Sequence, residues 1–151
     1  MSSRRARQLP IIEIGGTKFY FDLRLWQFRD VDNWANQFQV DDLFETARGF
    51  KLCFDTAKKN LFVGTAEEFK ANKDAIIVTL PSIKKMDPLG HLWWEEELGC
   101  LSADEAKKRT EEMLNDYEVH ESGMILQRKP EKISLLPKRE RALTNKKGKR
   151  L

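Results

Sequence analysis

Two glycines inside an alternating apolar pattern are the strongest constraint on the fold of this chain. Gly15 and Gly16 favour a two-residue hairpin, because the primed turns that join twisted strands need positive φ angles. Apolar and polar side chains alternate on both sides of this pair, as in strands with one buried face. With a second turn near Trp26, we predict a three-stranded antiparallel meander over residues 10–32.

Further strands and short helical segments are predicted downstream. Residues 50–55 alternate, and residues 75–80 form a continuous apolar run that is typical of a strand buried on both faces. An Asp, Ser or Thr directly before a helical pattern supplies an N-cap. By that criterion, helical segments are predicted to follow Asp41, Thr65, Asp87 and Ser102.

These patterns together predict the α+β class. We expect a small, mostly antiparallel sheet of about five or six strands, with two or three helices packed on one side. Charge is distributed unevenly along the chain: residues 1–8 carry +3, residues 9–127 carry −8 and residues 128–151 carry +8. We therefore predict a basic disordered arm, an acidic α+β globular domain and a basic disordered tail over these three ranges.

Composition excludes several classes of protein. Of 151 residues, 40% are hydrophobic and 34% are charged, and Cys53 and Cys100 are the two cysteines. Two cysteines are too few for a disulfide-rich scaffold or a four-cysteine zinc site. No apolar run approaches the ~20 residues of a membrane-spanning helix, and the N-terminus lacks the apolar segment of a secretory signal. We expect no membrane association and a cytoplasmic location.

Residues 9–24 follow the pattern Leu-Pro-x-Ile-x-Ile-x-Gly-Thr-x-Phe-x-x-Asp-x-Arg, and residues 87–90 provide a later Asp-Pro-x-Gly element. In both features the chain resembles uncharacterised proteins of Bacteroidetes, over about residues 9–100. Beyond Gly90 it departs from them with a Trp-Trp-Glu-Glu-Glu stretch. The resemblance implies a bacterial host and an association with plasmids or conjugative elements, and it implies no particular chemistry.

The basic tail is the clearest functional signal. Its cations can release counterions from a polyanion, which gives an affinity that falls steeply with salt. The tail contains no aromatic residue, so it is not expected to stack on bases. We predict weakly sequence-specific contact with DNA or RNA; the alternatives are a solubilising terminus and a tail that folds back on the acidic body. The predicted nucleic-acid-binding residues are Arg128, Lys129, Lys138, Arg139, Arg141, Lys146, Lys147, Lys149 and Arg150.

Two adjacent tryptophans, Trp93 and Trp94, are the predicted contact with a protein partner. They point about 100° apart on one helix, so both are buried only if that helix is wedged between two surfaces. In the alternative, Trp94 lies in an exposed apolar patch that Trp26 and Trp34 extend, because tryptophan is favoured at interfaces. The glutamates at 95–97 are expected to give such a patch an acidic rim that attracts basic partners.

Catalytic motifs are not found in the sequence: it has no Walker loop, no dinucleotide fingerprint and no His-Glu-x-x-His. Turn and cap roles account for Asp30, Asp32, Asp41 and Asp42, so we predict no metal site and no cofactor. A hydrolase that uses Asp22 and Asp32 is the least favoured alternative.

We therefore predict a non-enzymatic accessory or adaptor protein. Its acidic body would bind a protein partner and its basic tail would contact nucleic acid. The alternative is a stand-alone protein-binding module, such as an inhibitor or an antitoxin-like protein, with no nucleic-acid role. The sequence predicts no particular oligomeric state.

Overall fold

The predicted N-terminal meander is confirmed by the computed structural model, which describes residues 5–130. Its strands are β1 (Ile11–Ile14), β2 (Thr17–Asp22) and β3 (Gln27–Asp30), and a fourth strand, β4 (Gln37–Gln39), extends the sheet. The four strands are antiparallel and lie in sequence order. The two glycines between β1 and β2 have φ angles of 57° and 86°, as a primed turn requires.

The second sheet is built around β6 (Gly49–Asp55). On one edge, β6 pairs along its whole length with β8 (Ala75–Pro81). On the other edge, it pairs with β5 (Phe44–Thr46) near its start and with β7 (Asn60–Leu61) at its end. All of these pairs are antiparallel. The α+β class is confirmed, and the strands are distributed over separate antiparallel sheets rather than joined in one.

Two local predictions in this region are wrong. Asp41 begins no α-helix, because a 3₁₀ turn spans Val40–Asp42 and the next residues form β5. Pairing with β6 outweighs the weak local preference for a helix. The β8 strand is not buried on both faces either, since Ile77 is 64% exposed. Within residues 5–130, β8 pairs only with β6 and therefore forms an edge of the sheet. One face of β8 is also exposed to solvent, as is common in antiparallel sheets.

Phenylalanines from both sheets form the main core. The ring centroids of Phe19 and Phe38 lie 5.3 Å apart, and Phe54 of β6 makes an edge-to-face contact with Phe19 at 6.0 Å. Phe19 and Phe54 are completely buried. Such aromatic pairs contribute about 0.5–1.5 kcal/mol beyond the area they bury. These contacts hold the two sheets against each other.

Within residues 5–130, four α-helices follow the strands or alternate with them. They are α1 (Ala66–Ala71), α2 (Ile83–Met86), α3 (Pro88–Glu97) and α4 (Ala103–Met113). The predicted capping box at Thr65 is formed with both of its hydrogen bonds. At the other three helices, the cap side chain accepts one backbone N–H of the first turn; these caps are Ser82, Asp87 and Ser102.

A second core lies between α3, α4 and a C-terminal hairpin. The hairpin consists of β9 (Tyr117–Val119) and β10 (Ile125–Arg128). The Nε1 atom of Trp93 donates to Oγ1 of Thr110 at 3.1 Å, which joins α3 to α4. The buried residues of this core are Leu89, Leu92, Trp93, Tyr117 and Ile125.

The prediction of a disordered arm over residues 1–8 is wrong where the arm is described. The N–H of Ile125 donates to the carbonyl of Ala6 at 3.0 Å, and the N–H of Gln8 donates to the carbonyl of Ile125 at 2.8 Å. The arm therefore forms a parallel bridge with β10 at Arg7. This pairing satisfies the backbone N–H and C=O groups of Ile125, which is completely buried and would otherwise leave both groups without hydrogen bonds.

The C-terminal boundary of the body also differs from the prediction. Arg128 is the last residue of β10, and the N–H of Lys129 donates to the carbonyl of Asp116 at 2.8 Å. Residues 128 and 129 therefore belong to the folded body rather than to the tail.

Arg7 and Asp87 form a bidentate ion pair in which the carboxylate is buried and the guanidinium is largely covered. The Nη1 and Nη2 atoms of Arg7 donate to Oδ1 and Oδ2 of Asp87 at 2.8 and 2.9 Å. Asp87 is 1% exposed, and its Oδ1 also accepts the N–H of Gly90 at 3.0 Å at the start of α3. The guanidinium lies 5.3 Å from the ring centroid of Trp93. Removing one partner of such a pair costs about 3–5 kcal/mol, because a buried charge loses its compensation.

The Gly90→Ala substitution tests how tightly this pair is enclosed. A Cβ atom at Gly90 would collide with the carboxylate of Asp87 and lie 2.7 Å from Nη2 of Arg7. We predict that Gly90→Ala lowers the free energy of unfolding by about 1–3 kcal/mol, as overpacking does, although alanine is the better helix former. Denaturant unfolding provides the measurement.

An Asp87→Ser background supplies the control for this prediction. Serine caps a helix but lacks the carboxylate that the new Cβ would meet, so Gly90→Ala should cost less in that background. Equal costs in the two backgrounds would contradict the steric explanation.

Candidate functional site

The two adjacent tryptophans of α3 differ in exposure. Trp93 is buried in the second core, so its prediction as a partner-binding residue is wrong. It packs under the Arg7 guanidinium and bonds to Thr110, which accounts for its position on the inner face. Trp94 is 40% exposed and lies on the outer face of the same helix. Of the predicted pair, Trp94 alone is accessible at the surface.

Trp94 lines two surface cavities. One has a volume of about 620 Å³ and lies between α3, the N-terminal arm and the turn after β2. The other has a volume of about 470 Å³ and extends towards Trp26 and Ile83. The ring of His91 meets the Trp94 ring edge-on, with 5.9 Å between centroids. We call this area the Trp94 surface and define it by Leu25, Trp26, Ile83, His91 and Trp94.

The rim of the Trp94 surface is not uniformly acidic, contrary to the prediction. Arg5 and Arg24 are exposed and line the larger cavity together with Asp22 and Glu97. Charges of both signs therefore surround its apolar floor. A basic partner is no more favoured here than an acidic one.

A second surface carries exposed cations and lies at the C-terminal end of the described residues. The Nη2 atom of Arg128 donates to the carbonyl of Lys85 at 3.3 Å, and Lys84, Lys85, Arg128 and Lys129 are all exposed. We call these four residues the tail root. The other predicted nucleic-acid-binding residues lie outside the described residues; they are Lys138, Arg139, Arg141, Lys146, Lys147, Lys149 and Arg150.

Trp34 lies away from the Trp94 surface. It follows β3, whereas Trp26 precedes β3, so the two residues lie at opposite ends of that strand. Trp34 is 69% exposed, and the guanidinium of Arg29 lies 4.2 Å from its ring centroid. The Nη1 atom of Arg29 also donates to the carbonyl of Trp34 at 2.8 Å. Arg29 therefore contacts both the ring and the backbone of this residue.

A buried aspartate builds the turn that carries Trp34. Oδ1 of Asp30 accepts the N–H groups of Asp32 and Asn33 at 2.8 and 3.2 Å, and its Oδ2 accepts the side-chain amide of Asn36 at 3.1 Å. Burial by itself raises the pKa of Asp30. The hydrogen bonds, together with a nearby lysine charge, outweigh burial and hold this pKa below its usual value of 3.8. The turn therefore contains an ionised and fully bonded carboxylate.

A second buried aspartate, Asp55, builds the neighbouring turn in the same way. Its Oδ1 accepts two backbone N–H groups of the turn at 3.0 and 3.1 Å. Lys58 and Lys59 are exposed on this turn, and Lys59 has a φ of 59°, which is uncommon for a residue other than glycine. The carbonyl of Lys59 accepts the side-chain amide of Asn36 at 2.6 Å. The two turns are therefore joined directly.

The aspartates considered for a hydrolase are not brought together. Asp22 ends β2 and accepts the N–H of Leu25 at 3.0 Å, whereas Asp32 lies just beyond the end of β3. Because β2 and β3 are antiparallel, the two carboxylates lie at opposite ends of the sheet, and the hypothesis built on their proximity is wrong. Among residues 5–130, no group of three or more His, Cys, Asp or Glu side chains is arranged to hold a metal ion.

Comparisons with models of known families, with curated proteins and with solved structures give no significant match to this chain. The resemblance of residues 9–24 and 87–90 to the Bacteroidetes proteins therefore stays a prediction. In the part of the chain that the structure describes, no helix has both the length and the apolar character needed to cross a membrane.

Sequence reasoning missed the lysines of the tail root and the contact of Arg29 with Trp34. Lys85 is 43 positions from Arg128 in the chain, so no local pattern joins them. The sequence did contain a signal for the Trp34 turn, namely Asp30, Asp32 and Asn33. Asp and Asn side chains favour turns because they form hydrogen bonds with the turn backbone. That signal predicts the turn but does not predict that an arginine will cover one face of the ring.

The Asp30→Asn substitution tests the Trp34 turn. At neutral pH we expect it to lower the free energy of unfolding by about 1–3 kcal/mol, because a charged hydrogen-bond acceptor is lost. In addition, the NH₂ group of the new asparagine would face the NH₂ group of Asn36, and neither can accept the other's hydrogen bond. Since the pKa of Asp30 is lowered by folding, its stabilisation is present above pH 3.8 and is lost as the pH falls through the folded-state pKa. The difference between variant and wild type should therefore shrink in acid.

Urea unfolding at a series of pH values measures this difference. The exposed neighbour substitution Asp32→Asn serves as the control and should have little effect at any pH. A deficit of Asp30→Asn that is independent of pH would contradict the role assigned to the carboxylate charge.

Proposed function

We propose that this protein is a non-enzymatic adaptor that contacts nucleic acid through its basic tail and the tail root. The observation that carries the proposal is the contact of Arg128 with Lys85 at the start of a segment of net charge +8. Lys85, an exposed lysine of α2, thereby adds to the positive charge beside Arg128, and the adjacent Lys84 is also exposed. Clustered cations on one face are the usual electrostatic signature of a nucleic-acid-binding protein.

Contacts of this kind go mainly to phosphates. Lysine and arginine on phosphate oxygens give affinity and orientation but do not read the sequence. The proposed binding is therefore weakly sequence-specific and accepts DNA or RNA. Its thermodynamic signature is a linear fall of log K with log salt, with a slope near −0.9 for each phosphate contacted on duplex DNA.

Neutralising substitutions in the full-length chain test this proposal. Replacing Lys146, Lys147, Lys149 and Arg150 by Gln should reduce the salt slope by up to about 3.6, and Lys84→Gln with Lys85→Gln should reduce it by up to about 1.8. Fluorescence anisotropy of a labelled duplex between about 50 and 200 mM salt provides the slope.

The matched control is Lys107→Gln with Lys108→Gln. These two lysines are also adjacent and exposed, but they lie on α4 rather than beside β10. The proposal fails if the full-length protein does not bind duplex, or if the control pair lowers the slope as much as the tail root does.

Binding of a protein partner is a second proposed function, supported by the Trp94 surface. An exposed tryptophan between two cavities can fill a pocket of a partner and bury a large apolar area. The mixed charges of Arg5, Arg24 and Glu97 around it are suited to a polar rim. If the partner binds here without any contribution from the tail, the protein acts as a stand-alone module.

A photo-crosslinking amino acid in place of Trp94 tests this second function. In cells that naturally produce the protein, we expect one discrete crosslinked species from position 94 and none from the exposed position Val63. Retention of that species after neutralising the tail would show that the partner binds without the tail, as a stand-alone module requires, and its loss would show that partner binding depends on the tail. A similar spread of adducts from both positions would contradict a specific partner site.

A further inference from the structure

Trp34 presents an aromatic face to solvent. One face of its ring is covered by the Arg29 guanidinium at 4.2 Å, and the residue is nevertheless 69% exposed. The opposite face is therefore open. Tryptophan normally buries most of its large apolar surface, so this degree of exposure is unusual and calls for an explanation beyond folding.

The backbone that carries this ring is held by several hydrogen bonds of the surrounding turn. The carboxylate of Asp30 and the amide of Asn36 hold the turn from inside, and the N–H of Asn36 donates to the carbonyl of Asn33 at 2.9 Å. Arg29 bonds to the backbone of Trp34 at 2.8 Å. Because the backbone is already ordered and Arg29 covers one face of the ring, less conformational entropy is lost when a planar group stacks on the other face.

A turn with two exposed lysines is joined to the turn that carries Trp34. The turn that carries Lys58 and Lys59 bonds directly to Asn36, two residues after Trp34. With Arg29, these exposed lysines balance the three carboxylates of the two turns, of which Asp30 and Asp55 are buried and Asp32 is exposed. Lys18 is also near, but Glu13 lies opposite it across the β1–β2 pair and offsets its charge. The accessible ammonium groups at this end of the sheet therefore belong to the lysine turn.

We propose that Trp34 is a stacking platform for unpaired bases of single-stranded nucleic acid, with Lys58 and Lys59 on the adjacent phosphates. An aromatic face next to lysines is the usual arrangement for binding single strands without sequence preference. The inference rests on the proposed function that this chain contacts nucleic acid. It adds a component that the tail cannot supply, because the tail has no aromatic residue.

The platform and the tail root can act on one strand. Gly49 pairs with Pro81 at the tail-root end of β6, and Asp55 pairs with Ala75 at the platform end, six residues further along. At about 3.3 Å per residue, the two sites are roughly 20 Å apart along the sheet.

Oligonucleotides with and without bases separate stacking from charge. We would measure binding of the full-length protein to an oligothymidylate, to an abasic deoxyribose-phosphate strand of the same length, and to a duplex. An oligouridylate of the same length distinguishes RNA from DNA as the source of the bases. The wild type should bind the base-bearing strands more tightly than the abasic strand, which carries the same phosphates.

Trp34→Ala should remove this preference. We expect it to weaken binding of the base-bearing strands by about 5- to 150-fold, the range for loss of one stacked base, and to leave the abasic strand, the duplex and the salt slope unchanged. Trp34→Phe should retain much of the preference, because it keeps an aromatic face. Phe44→Ala is the matched control, since Phe44 is an exposed aromatic residue on β5 in the other sheet.

Different results overturn the inference and the proposed function. Equal binding of base-bearing and abasic strands by the wild type overturns the stacking platform, as does a Trp34→Ala variant that binds all strands like the wild type. If the tail variants still lower the salt slope in that case, the proposed function stands. If Trp34→Ala weakens base-bearing strands while tail and tail-root variants have no effect, the platform stands and the proposed function fails. Absence of binding to every strand overturns both.

Discussion

The ion pair of Arg7 and Asp87 connects the N-terminal arm, the start of α3 and the C-terminal hairpin. Asp87 lies between the two hydrophobic cores, since Met86 belongs to the first and Leu89 to the second. A carboxylate at that depth is stable only with a charged partner and N–H donors, because an unpaired buried charge is very costly. Burial and the negative charge of Asp87 also raise the pKa of Tyr117 on β9. The arm is part of the fold because it supplies the compensating positive charge.

The same physical device recurs at the proposed binding surfaces. Asp30, Asp55 and Asp87 are all buried, and each accepts backbone N–H groups at a turn or at a helix start. Hydrogen bonds to a charged group contribute about 1.5–3 kcal/mol, roughly twice the value for neutral pairs. These three carboxylates position the Trp34 turn, the lysine turn and the helix that carries Trp94. Three buried aspartates therefore position the surfaces that we propose as binding sites.

The candidate surfaces could be predicted only in part. The charge of the tail is visible in the sequence, because charge depends on residue type and not on the fold. The exposure of Trp94 and the burial of Trp93 could not be predicted, since both satisfy the same helical pattern and the choice depends on what packs against α3. The position of Lys85 beside Arg128 required the complete arrangement of β8, α2 and β10, which lie far apart in the chain.

Local signals in the sequence determined the hairpin at Gly15 and Gly16 and the helix start at Asp87, because φ angles and cap hydrogen bonds depend on a few neighbouring residues. They also determined the α+β class and the alternation of buried and exposed positions along the first strands. Only the tertiary structure decided that the arm docks, that β5 is a strand and that β8 lies at an edge. These outcomes depend on contacts such as that of Arg7 with Asp87, 80 positions apart, whose free energy comes from packing geometry that no local pattern contains.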